Sequence, residues 1–447
     1  MSSNDLFSQI AIQKGFLDQD QAALVVEFYN IEGRRRHPAD VGLDLGLLTA
    51  KQAEDLKGFH NQSRSEIKAQ IKAEIRTPAL PPPGPTAAAR ADRRPPESRG
   101  QAVALAHLVT KAIEAGASDL HVHARTPPFI RLPGDLRELT ARPVEQALFM
   151  DDLKEMLSDR QWSALERRGE VDLCSGFTQG YRLRMNVFRE KQGISAAFRI
   201  IPPDIPSLID LNLPKGVSQI TDYPQGLVLV AGPARCGKTT TLAALVDRIN
   251  AERRVHVVTI EDPIEFIHTP NQATISQRSV GLHTKSYASA LRAALREDPD
   301  VIVIGELRDK ETVQVAMTAA ETGHLVLGTL HTRDVPSTVA RVLDAFGDHE
   351  AEVRSMLADS LRGVLVQNLV EGTRGRLVPV VEMLFHNSAI ANCIRKRKLH
   401  QIESLMQSGR SQNMITWADS VRELSNRGLI NPRTAERLLA EDGRSAL

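Results

Sequence analysis

Cysteine is scarce in this chain of 447 residues: Cys174, Cys236 and Cys393 stand alone and far apart. Neither a disulfide framework nor a CxxC zinc site can be assembled from them. Net charge is nearly absent too, with 56 Lys and Arg against 55 Asp and Glu. No overall field therefore points to a nucleic-acid coat or to an enzyme of acidic substrates. Long apolar runs are missing, and none approaches the roughly 20 residues of a membrane span. The opening MSSNDLFSQ also lacks the basic-then-apolar pattern of a secretory signal. These absences lead us to expect a protein of a reducing cytosol, with no membrane insertion and no direct nucleic-acid partner. Hydrophobic residues still make up 42%, enough for real cores, and the length allows about three domains.

One stretch breaks the globular pattern. Residues 77–100 read TPALPPPGPTAAARADRRPPESRG, rich in proline, alanine and charge and without apolar periodicity. Such a segment buries too little surface to offset its ordering entropy, and its prolines favour an extended spacer. We place a linker at 66–100, behind a small helical module at 1–65. Within that module Lys14-Gly15-Phe16-Leu17, followed by Gln21-Ala22, returns 31 residues later as Leu45-Gly46-Leu47-Leu48, followed by Gln52-Ala53. Each copy reads as a helix closed by glycine, an apolar turn, and a second helix capped by Asp18 or Thr49. A related phrase, Gly428-Leu429-Ile430 with Ala435, lies near the other end. Helix–turn–helix packing explains the pattern, and docking to a partner is its expected use.

An α+β domain is expected at 101–206. A helix over 102–115 leads into SDLHVHA and FIRLPGDLREL, a strand pair. YRLRMNVF and ISAAFRII then alternate at period two around EKQG, which marks a hairpin. If Lys191 and Gln192 form a two-residue turn, Arg184 faces Arg199 across the strands. Like charges so placed are unfavourable unless an anion lies between them, so this pair is expected to face an anion.

The pattern changes at 207–382. LVLVAG, HVVTIE, VIVIGE and HLVLGTLH are short, continuous, β-branched runs alternating with helices, the signature of a buried parallel sheet. A smaller helical domain is expected at 383–447. Gly232-Pro233-Ala234-Arg235-Cys236-Gly237-Lys238-Thr239 is a complete G-x-x-x-x-G-K-[ST], preceded by a strand and opening the helix that begins Thr239-Thr240. Glycines let the backbone wrap a phosphate, and the helix N-terminus presents free N–H groups to it. Lys238 would neutralise the β- and γ-phosphates of ATP, and the Thr239 hydroxyl would join a Mg²⁺ shell. Two more strands end in carboxylates, one in Glu306 and one in Glu261-Asp262-Pro263-Ile264-Glu265. In an open parallel sheet these acids converge beyond the strand ends, where hydrolysis needs groups to orient water and to hold the metal. His324 and His331 flank one strand at odd spacing and so make poor co-ligands. His331, at the carboxyl end, is placed to sense the γ-phosphate.

GPARCGKTTT, VVTIEDPIEF, LREDPDVIVIGELRD and AETGHLVLGTLHT resemble the Walker A, Asp box, Walker B and His box of the type II/IV secretion ATPase superfamily. The flanking text, ASDLHVHARTPPFIRLPGDLREL and FRE…GISAAFRIIP, is most similar to the PilT-type retraction ATPases of type IV pili. The resemblance implies a RecA-like P-loop motor domain preceded by an α+β, PAS-like domain, with helical domains at both ends. It makes residues 232–240 the ATP loop, with Lys238 and Thr239 as contacts to nucleotide and Mg²⁺. It makes Glu306 the Walker B catalytic glutamate and possible metal contact, and Glu265 the Asp-box acid beside Glu261 and Asp262. His324 and His331 become the His-box pair. A homohexameric ring is also implied, with Arg184 and Arg199 reaching ATP at a subunit interface and a membrane-embedded pilus platform protein as partner. The first 65 residues resemble the small N-terminal domains of pilus and secretion ATPases, some of which bind a cyclic dinucleotide. The Arg-Leu-Gly phrase of those binders is replaced here by Leu6-Phe7-Ser8 and His37-Pro38-Ala39.

No cysteine-rich insertion lies between His331 and Met383, which favours retraction over assembly. The family's AIRNLIRE phrase appears as Ala389-Ile390-Ala391-Asn392-Cys393-Ile394-Arg395-Lys396, and Ser279 stands where the family tends to have Glu. The expected function is ATP hydrolysis that drives pilus retraction. A weakly active regulator of another pilus motor, a DNA-transfer or type IV secretion ATPase, and a nucleotide kinase are the alternatives.

Overall fold

The computed structural model describes residues 105–440 apart from 133–134, 348–349 and 374. From the first 53 it describes 11, 16–17, 25, 39, 43, 47–49 and 51–53. The 66–100 linker, Asp18 and the tail beyond 440 lie outside the described residues. The chain divides into two compact units, 1–98 and 99–447.

In the first unit, equivalent positions of the repeat share one environment. Leu17 and Leu48 are both buried, and Phe16 and Leu47 are both half-buried. Phe16 and Leu17 return their N–H groups to Ala11 O at 3.0 and 3.4 Å, which closes the first turn. Thr49 and Gln52 form a reciprocal cap: Gln52 N donates to Thr49 Oγ1 at 3.3 Å while Thr49 N donates to Gln52 Oε1 at 2.9 Å.

The second unit begins with helix α1 (Leu105–Glu114) and strands β1 (Asp119–Val122), β2 (Phe129–Leu132) and β3 (Asp135–Glu138). Helices α2 (Gln146–Met156) and α3 (Asp159–Arg168) follow, and then β4 (Glu170–Gly176), β5 (Arg182–Glu190) and β6 (Gly193–Ile201). The six strands form one antiparallel sheet in the order β3-β2-β1-β6-β5-β4. The expected strand pair at 119–138 is thus three strands, because FIRL and DLRE pair with each other. Alternation divides the faces. Leu120, Leu183, Met185, Val187 and Phe198 go into a core with Leu105, Leu108, Phe149 and Leu165. Each such side chain contributes about 1.5–3 kcal/mol. The residues between them carry the polar face.

The motor sheet has seven strands in the order β13-β12-β7-β11-β10-β8-β9. Its members are β7 (Gly226–Ala231), β8 (His256–Glu261), β9 (Thr274–Ser279), β10 (Val301–Ile304), β11 (Leu325–Leu330), β12 (Leu361–Glu371) and β13 (Leu377–Phe385). All neighbours are parallel except the β12–β13 pair. Every residue of β7, β10 and β11 is buried, as runs without alternation require. Helices α4 (Lys238–Glu252), α5 (Tyr287–Ala294), α6 (Lys310–Glu321), α7 (Val335–Asp344) and α8 (Glu350–Ser360) connect the strands. Asp309 and Asp334 cap α6 and α7, accepting from Thr312 N and Ser337 N. The sheet runs to Phe385, beyond the expected boundary at 382. After it come α9 (Ser388–Arg395), α10 (Ile402–Ser408), α11 (Trp417–Asn426) and α12 (Pro432–Ala440). In α9, Ala391 is buried and Lys396 stands exposed at the C-cap.

Candidate active site

β7 delivers Gly232 to the carboxyl edge of the sheet, and α4 starts six residues later. The turn between them needs positive φ at Gly232 (144°), Arg235 (65°) and Gly237 (89°). At Gly232 the requirement is steric as well, because a Cβ there would lie 2.2 Å from Gln367 O and 2.5 Å from Cys236 Sγ. Gly237 is the left-handed N-cap of α4, so the free N–H groups of the helix and the loop share one concave side. Such a cradle suits phosphate. The exposed Thr239 hydroxyl at the start of α4 and the Glu306 carboxylate supply the hard oxygen donors that Mg²⁺ prefers. Cys236 is buried, and burial pushes its thiol up.

Lys238 folds back over the loop. Its Nζ donates to Gly232 O at 2.8 Å and Pro233 O at 2.7 Å, and lies 3.2 Å from His331 Nδ1. Burial pulls its ammonium below the ordinary lysine range. From His331 the chain of contacts continues. His331 Nε2 is 3.3 Å from Glu306 Oε1, and Glu306 Oε2 accepts from Arg308 Nε at 2.7 Å. Arg308 Nη1 lies 3.6 Å from Asp262 Oδ2 and its guanidinium sits over the Tyr287 ring at 5.9 Å. Lys238, His331, Glu306 and Asp262 thereby connect the ends of β7, β11, β10 and β8. Gly305 allows this closeness, since a Cβ there would meet Ile260 O and Tyr287 Oη at 3.2 Å. Burial pushes the Tyr287 phenol and the Glu261 carboxyl up. Glu261 accepts from Thr259 Oγ1 at 2.7 Å and Gln277 Nε2 at 3.2 Å, so it braces β8 against β9.

The remaining expected residues are placed differently. Glu265 accepts from Arg184 Nη1 at 2.6 Å, which joins the Asp-box turn to the antiparallel sheet rather than to Lys238. Arg184 and Arg199 do stand opposite each other in register. Each takes its own carboxylate, Arg199 finding Asp119 at 3.3 Å, and two carboxylates thus relieve the like-charge pair. His324 is a correction. It lies at the amino end of β11, bonded to Ala319 O at 2.9 Å, with its carbonyl on Gly226 N at the start of β7. Six strand residues at about 3.3 Å each separate it from His331, so within this chain it does not reach the loop. Ser279 is buried and its N–H donates to His283 Nδ1 at 3.0 Å. Gln367 was not foreseen: it is buried on β12 and donates to Cys236 O at 2.6 Å. Beside the loop opens a cavity of about 530 Å³, lined among others by Gly237, Thr240, Leu369, Arg376 and Leu429. Its size is that of a small-molecule site.

Residues 100–437 match the family model described as type II/IV secretion system protein. The type IV pilus retraction ATPase PilT of Pseudomonas aeruginosa is 40% identical over 332 residues, which cover 74% of this chain and 96% of that protein. A twitching motility protein of Neisseria gonorrhoeae is 42% identical over 335 residues, 74% of this chain and 89% of that one. Among solved structures, the pilus retraction motor PilT with bound ADP superposes with a TM-score of 0.67 at 40% identity, over 74% of this chain and 96% of that one. The ATPase DotB of Legionella pneumophila, at 24% identity, shares the fold with a TM-score of 0.68 over 77% and 98%.

Proposed function

The chain belongs to the type II/IV secretion system protein family and is an ATPase, and from that premise we propose that it works as a homohexameric motor driving retraction of a type IV pilus. The observation that carries the hydrolytic part of this reading is the continuous polar chain Lys238–His331–Glu306–Arg308–Asp262 at the mouth of the phosphate loop. ATP is the substrate. Lys238 exchanges its backbone carbonyls for phosphate oxygens, a charge-assisted gain. The loop N–H groups and α4 hold the β-phosphate, and the cavity beside Thr240 takes the nucleoside. Thr239 and Glu306 would hold Mg²⁺, which when bound neutralises charge on the phosphates. Glu306 orients and deprotonates the attacking water once His331 or Arg308 has released one of its oxygens. His331, between Lys238 and Glu306, then reports whether a γ-phosphate is present.

Arg184 and Arg199 act across the ring, on the nucleotide of a neighbouring chain. There a phosphate replaces Glu265 and Asp119 as their anion. Contacts that exist only before hydrolysis give the interface two arrangements, and cycling between them turns a platform protein at the cytoplasmic face of the inner membrane. No described helix is long and apolar enough to cross a membrane. Ala391 and Lys396 favour a second reading, a paralogue that tunes another pilus motor. The test is steady-state hydrolysis across a concentration series with mass by light scattering. Activity that rises with a particle of about six chain masses supports the motor, whereas binding without turnover at any mass supports the regulator.

A further inference from the structure

We propose that Gln367 is the positioning residue of the phosphate loop, turning the Cys236–Gly237 peptide so that the Gly237 N–H faces the phosphates. The inference rests on the ATPase reading and deepens it. Gln367 is 2% exposed and lies on β12, whose Val366 stands beside Ala231 at the end of β7. Both ends of its amide are committed to the loop and its helix. Nε2 donates to Cys236 O at 2.6 Å, and Oε1 accepts from Thr241 Oγ1 at 2.8 Å. Thr241 thereby sets which way round the amide sits. The same residue makes both loop glycines tight. A Cβ on Gly232 would come 2.2 Å from Gln367 O, and one on Gly237 would come 3.1 Å from Nε2.

A trans peptide is planar, with its C=O and N–H pointing in opposite directions. Drawing Cys236 O toward β12 therefore aims the Gly237 N–H away from β12, to the side where loop amides meet a phosphate. Arg235 before this peptide and Gly237 within it both lie at positive φ, and the bond from Gln367 Nε2 holds its carbonyl toward β12. An apolar residue at 367 would fill the space and leave the peptide free to flip.

The test is calorimetric binding of ADP and ATP to the full chain, wild type against Gln367→Met, Gln367→Glu and Thr241→Val, with nucleotide-free melting measured in parallel. Loss of one phosphate-directed amide weakens binding about tenfold in Gln367→Met. Gln367→Glu, measured at a pH high enough to ionise the buried carboxyl so that no proton faces Cys236 O, weakens it further, and Thr241→Val weakens it about threefold. The nucleotide-free melting temperature falls as well, since Cys236 O and Thr241 Oγ1 lose buried partners, so the proposal is read from the ADP affinity of the folded variants at a temperature below every melting point. A fall in that temperature with unchanged ADP affinity makes Gln367 a packing residue and overturns the proposal. Should the Gln367 variants fail to fold, Thr241→Val decides, and unchanged ADP affinity in it overturns the proposal. A wild-type chain that binds neither nucleotide overturns the ATPase reading and this inference with it. Wild-type binding that none of the three variants alters overturns the inference alone.

Discussion

The two sheets of the second unit place chemistry in opposite ways. In the parallel sheet the central strands β7, β10 and β11 are buried along their whole length, and the catalytic candidates gather beyond one edge: Gly232, Glu306, His331 and Asp262 all follow strand ends. In the antiparallel sheet the proposed function lies across one face. Arg184 and Arg199 are paired in register, backed by a core of Leu183, Met185 and Phe198 on the other face. An edge site is assembled by loops from one chain and can be nearly complete within it. A face site is a rigid platform of charges, and it needs something else to bring the substrate to it.

Changes at the edge have the largest expected effects. Lys238→Ala removes the charged donor to the β-phosphate, so ADP affinity measured by calorimetry falls by about 10- to 100-fold and hydrolysis is lost. Glu306→Gln leaves that affinity intact while single-turnover hydrolysis drops by about 10³-fold, which separates binding from chemistry. On the face, Arg184→Ala lowers hydrolysis by roughly 10²–10³-fold without changing ADP affinity of the isolated chain. If ADP affinity falls with it, the face serves its own chain and the contrast between the sheets is gone.

Two smaller tests concern stability. Phe198 is fully buried behind the arginines, and Phe198→Ala costs about 3–5 kcal/mol, measured by urea unfolding; its loss takes the platform with it. Glu261 gives the smallest effect. Burial raises its folded pKa above the unfolded value, so the stability it contributes is present at low pH and lost as pH rises through the folded pKa. Glu261→Gln, which keeps an acceptor for Thr259 and Gln277, therefore melts on the order of 2 °C above wild type at pH 8. The gap closes as pH falls and wild-type Glu261 takes up its proton.

The sequence made the edge legible and the face only partly so. β7, β8, β10 and β11 could be read as buried strands from β-branched runs, and the phosphate loop from its motif in context. β9 could not, because TISQRS is a polar edge strand that pairs with β8 only. The register of Arg184 against Arg199 followed from a two-residue turn, but their partners Glu265 and Asp119 lie about 80 residues away in sequence. Gln367 had no local signal at all, since a glutamine within an apolar strand acquires meaning only when β12 pairs with β7. His324 shows the limit of the motif: the motif groups it with His331, although, as their spacing already implied, the two flank opposite ends of β11.

The claim that the face acts on a neighbour's edge is tested most directly by mixing Arg184→Ala with Glu306→Gln chains, each nearly inactive alone, under conditions that let rings exchange. In a head-to-tail ring a 1:1 mixture contains interfaces with an intact edge from one chain and an intact face from the other. Hydrolysis should then recover to about a quarter of the wild-type rate. No recovery at any mixing ratio, with mixed particles verified by mass, would contradict the account.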